Sequence, residues 1–177
     1  SRKVIDTGFG EYIFVEETKY KVLTGVARLT KDGQSVSGDT FSMINLPSGE
    51  LLMALSDGMG SGTSAFDDSK NVIELLEQMS EAGFSQTSAI RLINSLYMSD
   101  QEFENYATLD ISLINLYKGE CSFLKNGAVG TYVLNQGKMY CIEGQSLPMG
   151  VVSDAEPYIG KMSLYPGDYV IMMTDGV

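Results

Sequence analysis

Apolar positions along the chain follow two patterns that predict strands. Residues 51–55 and 169–173 are continuously apolar, which is typical of short strands buried on both faces. Residues 107–117 instead begin with apolar side chains at every second position, as in a strand with one face against a core. Short runs bounded by turn residues complete the strand predictions: 12–15, 19–31 with a bulge near Gly25, 39–46, 50–56, 120–125, 131–135, 138–143, 158–164 and 168–174.

A spacing of three and four residues between apolar positions predicts two helices, over 63–82 and 85–98. Gly83 is placed to end the first helix and Ser85 to cap the second. Many strands with a pair of helices in mid-chain indicate an α+β fold, a two-sheet β-sandwich flanked by helices. We expect a single domain over residues 1–177 that is C-terminally truncated, because a buried strand rarely ends a domain so abruptly.

Composition narrows the class of protein. A chain of 177 residues with 44% apolar side chains can bury a sizeable core. Its 23 acidic and 12 basic residues give a net charge of −11, which argues against nucleic acid or an anionic membrane as a partner. The sequence shows no signal peptide and no apolar stretch long enough to span a bilayer. We expect a cytoplasmic location, with any membrane contact made by segments outside this chain.

The chain contains no histidine, which excludes catalysis by Ser-His-Asp or Cys-His groups. It also excludes zinc sites of the usual kinds, since Cys121 and Cys141 are the only cysteines. Both cysteines fall in predicted strands, so we expect two buried free thiols. Any chemistry must therefore use carboxylates, hydroxyls, lysines or metal-bound water.

Three aspartates stand at the ends of predicted strands. Asp57 and Asp175 each follow a continuously apolar run within a hydroxyl-Asp-Gly triplet, and Asp39 begins the strand that forms a hairpin with the first of these runs. Antiparallel pairing should make Asp39 a neighbour of Asp57. Clustered carboxylates repel one another unless a cation joins them, and oxygen ligands alone select Mg²⁺ or Mn²⁺. The alternative is that each Asp-Gly pair is only a turn. Asp110 projects from a strand face and could join or support a site, but a solvated position is the simpler interpretation.

The glycines after Asp57 allow a second alternative. Gly58, Gly60 and Gly62 lie between a strand and a helix, as in a dinucleotide-binding loop. However, Thr63 stands where the third glycine of that pattern belongs, and Asp57 would repel a pyrophosphate. There is also no Gly-Lys-[Ser/Thr] sequence of a phosphate-binding P-loop. Nucleotide binding is therefore the weaker interpretation.

Several short motifs resemble, in order and spacing, those of the bacterial protein phosphatase 2C family, and they are most similar to its sporulation members. The motifs are Ser37-Gly38-Asp39, Ser56-Asp57-Gly58-Met59-Gly60-Ser61-Gly62, Asn126-Gly127-Ala128, Leu147-Pro148-Met149-Gly150 and Thr174-Asp175-Gly176. The resemblance covers the chain from about residue 19 to its end. It implies a metal-dependent protein serine/threonine phosphatase built on two central sheets flanked by helices.

The resemblance also implies roles for individual residues. Asp57 resembles the carboxylate that bridges two Mn²⁺ or Mg²⁺ ions, and Asp39, Asp175 and the Gly58 carbonyl resemble further ligands. A water held by the metals would attack the phosphoserine phosphorus, so Asp57 and Asp39 are the expected catalytic residues. The regulatory or substrate loop would comprise Met59, Gly60, Ser61 and Gly62. The two helices resemble regulatory helices that determine whether the metal site is assembled.

Proteins similar to this one act on a phosphorylated anti-anti-sigma factor and so release a sigma factor. We therefore expect a phosphoprotein substrate of that kind, in sporulation or in a stress response, and a homodimer is one open alternative for the assembly. The family's last metal-binding acid lies beyond Val177, so we expect an incomplete metal site and little activity from residues 1–177 alone. The alternative function is a catalytically silent interaction module that keeps the fold.

Overall fold

The computed structural model describes residues 2–28, 37–60, 63–99, 106–153 and 156–175. Within these residues two helices are embedded among ten strands. The strands are β1 (Arg2–Asp6), β2 (Tyr12–Glu16), β3 (Asp39–Asn45), β4 (Glu50–Asp57), β5 (Leu109–Asn115), β6 (Glu120–Asn126), β7 (Thr131–Asn135), β8 (Lys138–Ile142), β9 (Tyr158–Ser163) and β10 (Tyr169–Ile171). The helices are α1 (Thr63–Glu81) and α2 (Gln86–Ser99).

The strands form two main sheets and a separate hairpin. A five-stranded antiparallel sheet has the order β3-β4-β5-β6-β9, and a three-stranded sheet has the order β10-β7-β8. The remaining pair, β1 and β2, hydrogen-bonds only within itself among the described strands. The predicted α+β sandwich is thus confirmed. Strand β2 agrees with the prediction for residues 12–15, whereas the sequence did not indicate its partner β1.

Two apolar cores follow from the alternation of side chains on the five-stranded sheet. On one face, Leu52 and Ile111 pack with Val72, Ile90 and other side chains of the helices. On the other face, Met53 and Phe123 pack with Val133 of the smaller sheet. Because β4 contributes fully buried side chains to both faces, its residues read as one uninterrupted apolar run. The result is a helix layer, a sheet layer and a second sheet layer.

The signals at the helix ends are confirmed. Gly83 has a positive φ of 86°, and the amide of Phe84 donates to the carbonyl oxygen of Met79 just after α1. At the start of α2, the amide of Ser88 donates to Ser85 Oγ over 3.2 Å. No helix in the described part of the chain is long and apolar enough to cross a membrane.

One strand prediction is wrong, as far as the described residues allow it to be judged. Residues 19–28 are not part of a strand, and residues 29–31 of the same prediction lie outside the described residues. The amide of Tyr20 donates to the Leu116 carbonyl, but no ladder with either sheet follows. Leu23 is 99% exposed. Alternation predicts a strand only where a neighbouring strand edge is available, and this segment runs without one.

Candidate active site

The three predicted aspartates meet at one end of the space between the two sheets. The register of β3 and β4 places Asp39 directly opposite Asp57, as the hairpin predicts. Asp57 lies four residues after Met53 on β4, so the two side chains are on the same face of the strand. Met53 packs in the core between the sheets, and Asp57 therefore points to that side. Asp175 follows β10 and interacts electrostatically with Asp57. Two sheets therefore contribute to one acidic cluster.

The environment of Asp57 disfavours its charged form. Burial, then the charge and hydrogen bonding of Asp39, and then those of Asp175 raise the pKa of Asp57 from 3.8 to about 7. Asp175 itself is exposed, and Asp39 is half-buried. A carboxylate held against two others in this way favours either a proton or a cation beside it.

Thr108 fixes the backbone that carries Asp57. The Asp57 amide donates to Thr108 Oγ1 over 3.0 Å, and the Thr108 amide donates back to the Asp57 carbonyl over 2.8 Å. One residue earlier, Ser56 Oγ donates to the Thr108 carbonyl over 2.7 Å. Three hydrogen bonds to Thr108 therefore fix the backbone at Ser56 and Asp57.

Asp39 is oriented by hydroxyl groups from both sides. Ser37 Oγ and Thr174 Oγ1 donate to Asp39 Oδ2 over 3.0 and 3.1 Å. The bond from Thr174 joins the end of the smaller sheet to the edge of the larger one. Arg28 Nη2 donates to the Ser37 and Asp39 carbonyls over 3.2 and 2.8 Å. These bonds hold the positively charged guanidinium of Arg28 beside the acidic cluster.

Two glycines keep space open around the site. A side chain at Gly58 would collide with the backbone of Ala65, so the first turn of α1 packs directly on the end of β4. A Cβ at Gly38 would lie 3.4 Å from the Gly58 carbonyl oxygen and 3.8 Å from Asp57 Oδ1. Gly38 thus leaves free space beside the Gly58 carbonyl oxygen and Asp57 Oδ1, two atoms that are predicted to bind metal.

Two adjoining cavities contain the acidic cluster. A small one of about 60 Å³ is lined by Asp57, Asp110 and Asp175 together with the 127–129 loop. A cleft of about 790 Å³ opens on Asp57, Asp175 and also Asp39, and its walls are largely apolar side chains such as Phe41 and Met173. Of the described residues that line this cleft, Arg28 is the one basic residue. The site can therefore accept a group that carries both an apolar part and a charged part.

The donor set fits a hard divalent cation. All nominated ligands are oxygens, the acids repel one another, and Gly38 leaves room beside the Gly58 carbonyl. Within the described residues, however, no three acidic or other ligating side chains form a finished ligand set. The aspartates are thus close together without forming a complete set of ligands.

The predicted loop after Asp57 is placed in part. Met59 and Gly60 line the cleft, and Met59 is exposed. Ser61 and Gly62 lie outside the described residues. The other glycine motif has a structural role: Gly127 has a positive φ of 65°, and a side chain there would collide with the ring of Pro148.

Sequence reasoning misjudged Asp110 and missed its partners. Asp110 is not solvated but 1% exposed, and its Oδ2 pairs with Lys125 Nζ at 2.7 Å and accepts from Thr131 Oγ1 over 2.6 Å. Lys125 lies opposite Asp110 on β6, a neighbour that the pairing of β5 with β6 could have revealed, whereas Thr131 comes from the other sheet and left no signal in the local sequence. The prediction of two buried cysteines is likewise half wrong, since Cys121 is buried but Cys141 is exposed.

Comparison with known proteins gives a consistent result. A family model described as stage II sporulation protein E matches residues 47–177. Stage II sporulation protein E of Bacillus subtilis is 35% identical over 170 residues, which cover 96% of this chain and 21% of that protein. The phosphoserine phosphatase RsbX of Bacillus subtilis is 40% identical over 65 residues, covering 37% of this chain and 32% of RsbX.

Solved structures show the same relationship. The PP2C phosphatase domain of SpoIIE from Bacillus subtilis, solved with a fragment of its regulatory domain, is similar with a TM-score of 0.84 and 33% identity. The match covers 99% of this chain and 54% of that one. RsbX in complex with magnesium is similar with a TM-score of 0.69 and 26% identity, covering 84% of this chain and 71% of that one. The chain spans about a fifth to a quarter of the length of the stage II sporulation proteins that it matches.

Proposed function

The chain belongs to the stage II sporulation protein E family, and from that premise we propose that it is the catalytic domain of a metal-dependent protein serine/threonine phosphatase. The observation that carries the proposal is the meeting of Asp39, Asp57 and Asp175 from two sheets, with the pKa of Asp57 raised to about 7. Turns alone would explain each Asp-Gly pair but not their convergence. A shared cation site explains it.

Four groups of this chain would hold the metal ions. The carboxylates of Asp57, Asp39 and Asp175 and the Gly58 carbonyl would hold Mn²⁺ or Mg²⁺. Such ions supply an activated water and neutralise charge on a phosphoryl group. The structural support for this assignment is the oxygen-only donor set and the free space at Gly38.

Other residues orient the proposed metal ligands or would bind the substrate. Thr108 holds the backbone of Asp57, while Ser37 and Thr174 hold the carboxylate of Asp39. Arg28 would pair with the phosphate of the substrate, because it is the basic residue of the cleft and its guanidinium is already anchored on two carbonyls. The apolar walls of the cleft would receive the peptide around the phosphoserine.

We infer that the substrate is a phosphorylated protein of the anti-anti-sigma class. The support is indirect: a stage II sporulation protein and the phosphoserine phosphatase RsbX are among the relatives. The exposed Met59 and Gly60 would form part of the surface that meets this protein.

We also infer that helices α1 and α2 regulate the site. The first turn of α1 packs against Gly58, so a movement of the helix would shift the carbonyl that is proposed to bind metal. The finished ligand geometry would then depend on the position of α1. This agrees with a cluster whose acids are gathered but whose ligand set is not complete among the described residues.

Replacement of Asp57 tests the proposed function. We expect Asp57→Asn, made in the protein that carries this domain, to lower Mn²⁺-dependent phosphate release from a phosphoserine protein by more than about a hundredfold, since loss of an outer-shell partner of a ligand already costs 10–100-fold. Asp67→Asn removes the same charge from an exposed position on α1 and should leave the rate unchanged. Unchanged hydrolysis by Asp57→Asn would favour the silent interaction module instead.

A further inference from the structure

A buried ion pair lies directly behind the acidic cluster. Asp110 and Lys125 face each other across β5 and β6, and their side chains are 2% and 0% exposed. Lys125 Nζ also donates to Thr131 Oγ1 and to the Val129 carbonyl, both over 2.8 Å. The pair therefore ties the 126–131 loop, which forms a wall of the small cavity, to the five-stranded sheet.

The two oxygens of Asp110 differ in their surroundings. Oδ2 receives hydrogen bonds from Lys125 and Thr131, whereas Oδ1 is buried and has no hydrogen-bond partner among the described residues. Asp110 lines the 60 Å³ cavity together with Asp57 and Asp175. Because Asp110 is opposite Leu55 on β4, it is the diagonal neighbour of Asp57 on the same face of the sheet.

We propose that Asp110 is a positioning residue of the site: its Oδ1 accepts a hydrogen bond from a water in the small cavity, and that water donates its other hydrogen to the carboxylate of Asp57. The cavity has room for a water molecule, and both carboxylates are acceptors that a single water can bridge. Lys125 and Thr131 hold Asp110 in place through its other oxygen. The bridge fixes the orientation of Asp57.

A purely structural role accounts poorly for this group. Well-packed apolar side chains of similar volume usually stabilise a core as well as a buried ion pair does. An acceptor left without a partner also costs stability unless something binds it. Both features are explained if the free oxygen serves the site, much as outer-shell groups orient metal ligands in other proteins. The inference rests on the proposed role of Asp57 in binding metal.

The test removes the ion pair without leaving an uncompensated charge. In the double variant Asp110→Leu with Lys125→Met, we expect the protein to fold with only a modest loss of melting temperature in EDTA, because the apolar pair fills the same space while Thr131 Oγ1 and the Val129 carbonyl lose a partner. We expect its affinity for Mn²⁺, measured by calorimetric titration, to fall about 10–100-fold. The Mn²⁺ affinity would thus fall much more than the melting temperature. A purely structural role of the ion pair would not produce this difference.

Ser112→Ala is the matched control, because Ser112 Oγ is also buried and unpartnered and lies one alternate position further along β5, but it does not line the cavity. Its Mn²⁺ affinity should be that of the parent protein. An unchanged Mn²⁺ affinity in the double variant would overturn the inference.

A high-resolution crystal structure of the parent protein decides the matter if the double variant does not fold. A water that bridges Asp110 Oδ1 and Asp57 supports the inference, and a structure without it refutes the inference. The two proposals remain distinguishable. Failure of the parent protein to bind Mn²⁺ and to release phosphate would refute the proposed function, whereas a missing water in an active, metal-binding protein would refute only the role of Asp110.

Discussion

Asp57 acquires its properties from residues that are far from it in the chain. Its sequence neighbours make it the end of a buried strand, but its raised pKa arises from burial and from two carboxylates on other segments. The charges of Asp39 and Asp175 make ionisation of the half-buried Asp57 costly. At this scale the chemistry of the site follows from the repulsion among like charges.

The pH dependence of stability should reveal this repulsion. The folded chain binds the Asp57 proton more tightly than the unfolded chain, since the pKa rises from 3.8 to about 7 on folding. The resulting stability is fully present below about pH 4 and is lost as the pH rises through about 7. We therefore expect the metal-free chain to unfold at lower urea concentration at pH 8 than at pH 5.

Two further measurements check the assignment of this effect to Asp57. In Asp57→Asn the difference between pH 5 and pH 8 should shrink, because the main titrating group is gone. In the parent chain added Mn²⁺ should shrink it as well, since a cation favours the ionised carboxylate. Equal urea midpoints at pH 5 and pH 8 in the metal-free parent chain would contradict the assigned pKa.

The cysteines illustrate the limit of residue-level reasoning. Both lie in strands, as predicted, but the sides of those strands differ. Cys121 points into the core between the sheets, where burial first and the nearby Asp110 second raise the pKa of its thiol to about 12. Cys141 lies on β8, whose side chains are largely exposed. Membership of a strand is readable from local sequence, whereas burial depends on what covers the strand.

At the scale of elements, the contact between α1 and the end of β4 needs a glycine. Gly58→Ala would drive a methyl group into the backbone of Ala65, and α1 would have to move away. We expect a loss of about 1–3 kcal/mol in the free energy of unfolding, the usual cost of overpacking a tight contact. Urea denaturation measures it directly.

Gly25→Ala provides the comparison, because a methyl group there meets no other atom within 4 Å and no unusual φ is involved. Its unfolding free energy should stay within about 0.5 kcal/mol of the parent value, as for most surface substitutions. Equal effects of the two substitutions would mean that α1 does not pack on Gly58 as described.

Asn94 of helix α2 bonds three backbone groups of the loop that follows Pro148. Asn94 accepts from the Gly150 amide over 2.9 Å and donates to the Val152 and Ser153 carbonyls over 2.9 and 3.0 Å. Asn94 is also 1% exposed, so its truncation removes three hydrogen bonds that start from a buried side chain. The Leu-Pro-Met-Gly motif of the sequence is therefore a docking point for this helix.

Asn94→Ala should consequently lower the free energy of unfolding by about 1–3 kcal/mol, the cost of unpaired buried polar groups. Hydrogen exchange at the Gly150 amide should accelerate in the same variant. Ser95→Ala, which removes only a local bond from Ser95 Oγ to the Arg91 carbonyl, should change neither quantity appreciably. Unaltered exchange at Gly150 in Asn94→Ala would contradict the described contact.

At the scale of the whole molecule, three layers enclose two cores and one acidic cluster. The helix layer and the five-stranded sheet enclose the larger core, while the space between the two sheets contains a second core and, at its end, the acidic cluster. Asp39 and Asp57 stand on the central layer, and Asp175 approaches from the smaller sheet. The site therefore exists only where both sheets are present together.

Local sequence determined much of this protein. Apolar runs, alternation and the spacing of three and four residues identified both helices and nine of the described strands, since these patterns depend on a few neighbouring residues. The short hairpin between β3 and β4 likewise made Asp39 and Asp57 neighbours, because a tight turn sets the register. The Thr174-Asp175-Gly176 triplet also singled out Asp175, although no local pattern places it beside the other two aspartates.

Only the tertiary structure decided the rest. It buried Asp110 with Lys125, anchored Arg28 beside the cleft and left residues 19–28 without a strand to pair with. Each of these outcomes depends on segments that lie apart along the chain and meet when the layers pack. Packing sets which faces are covered and which charges come close, and neither quantity can be read from the order of residues alone.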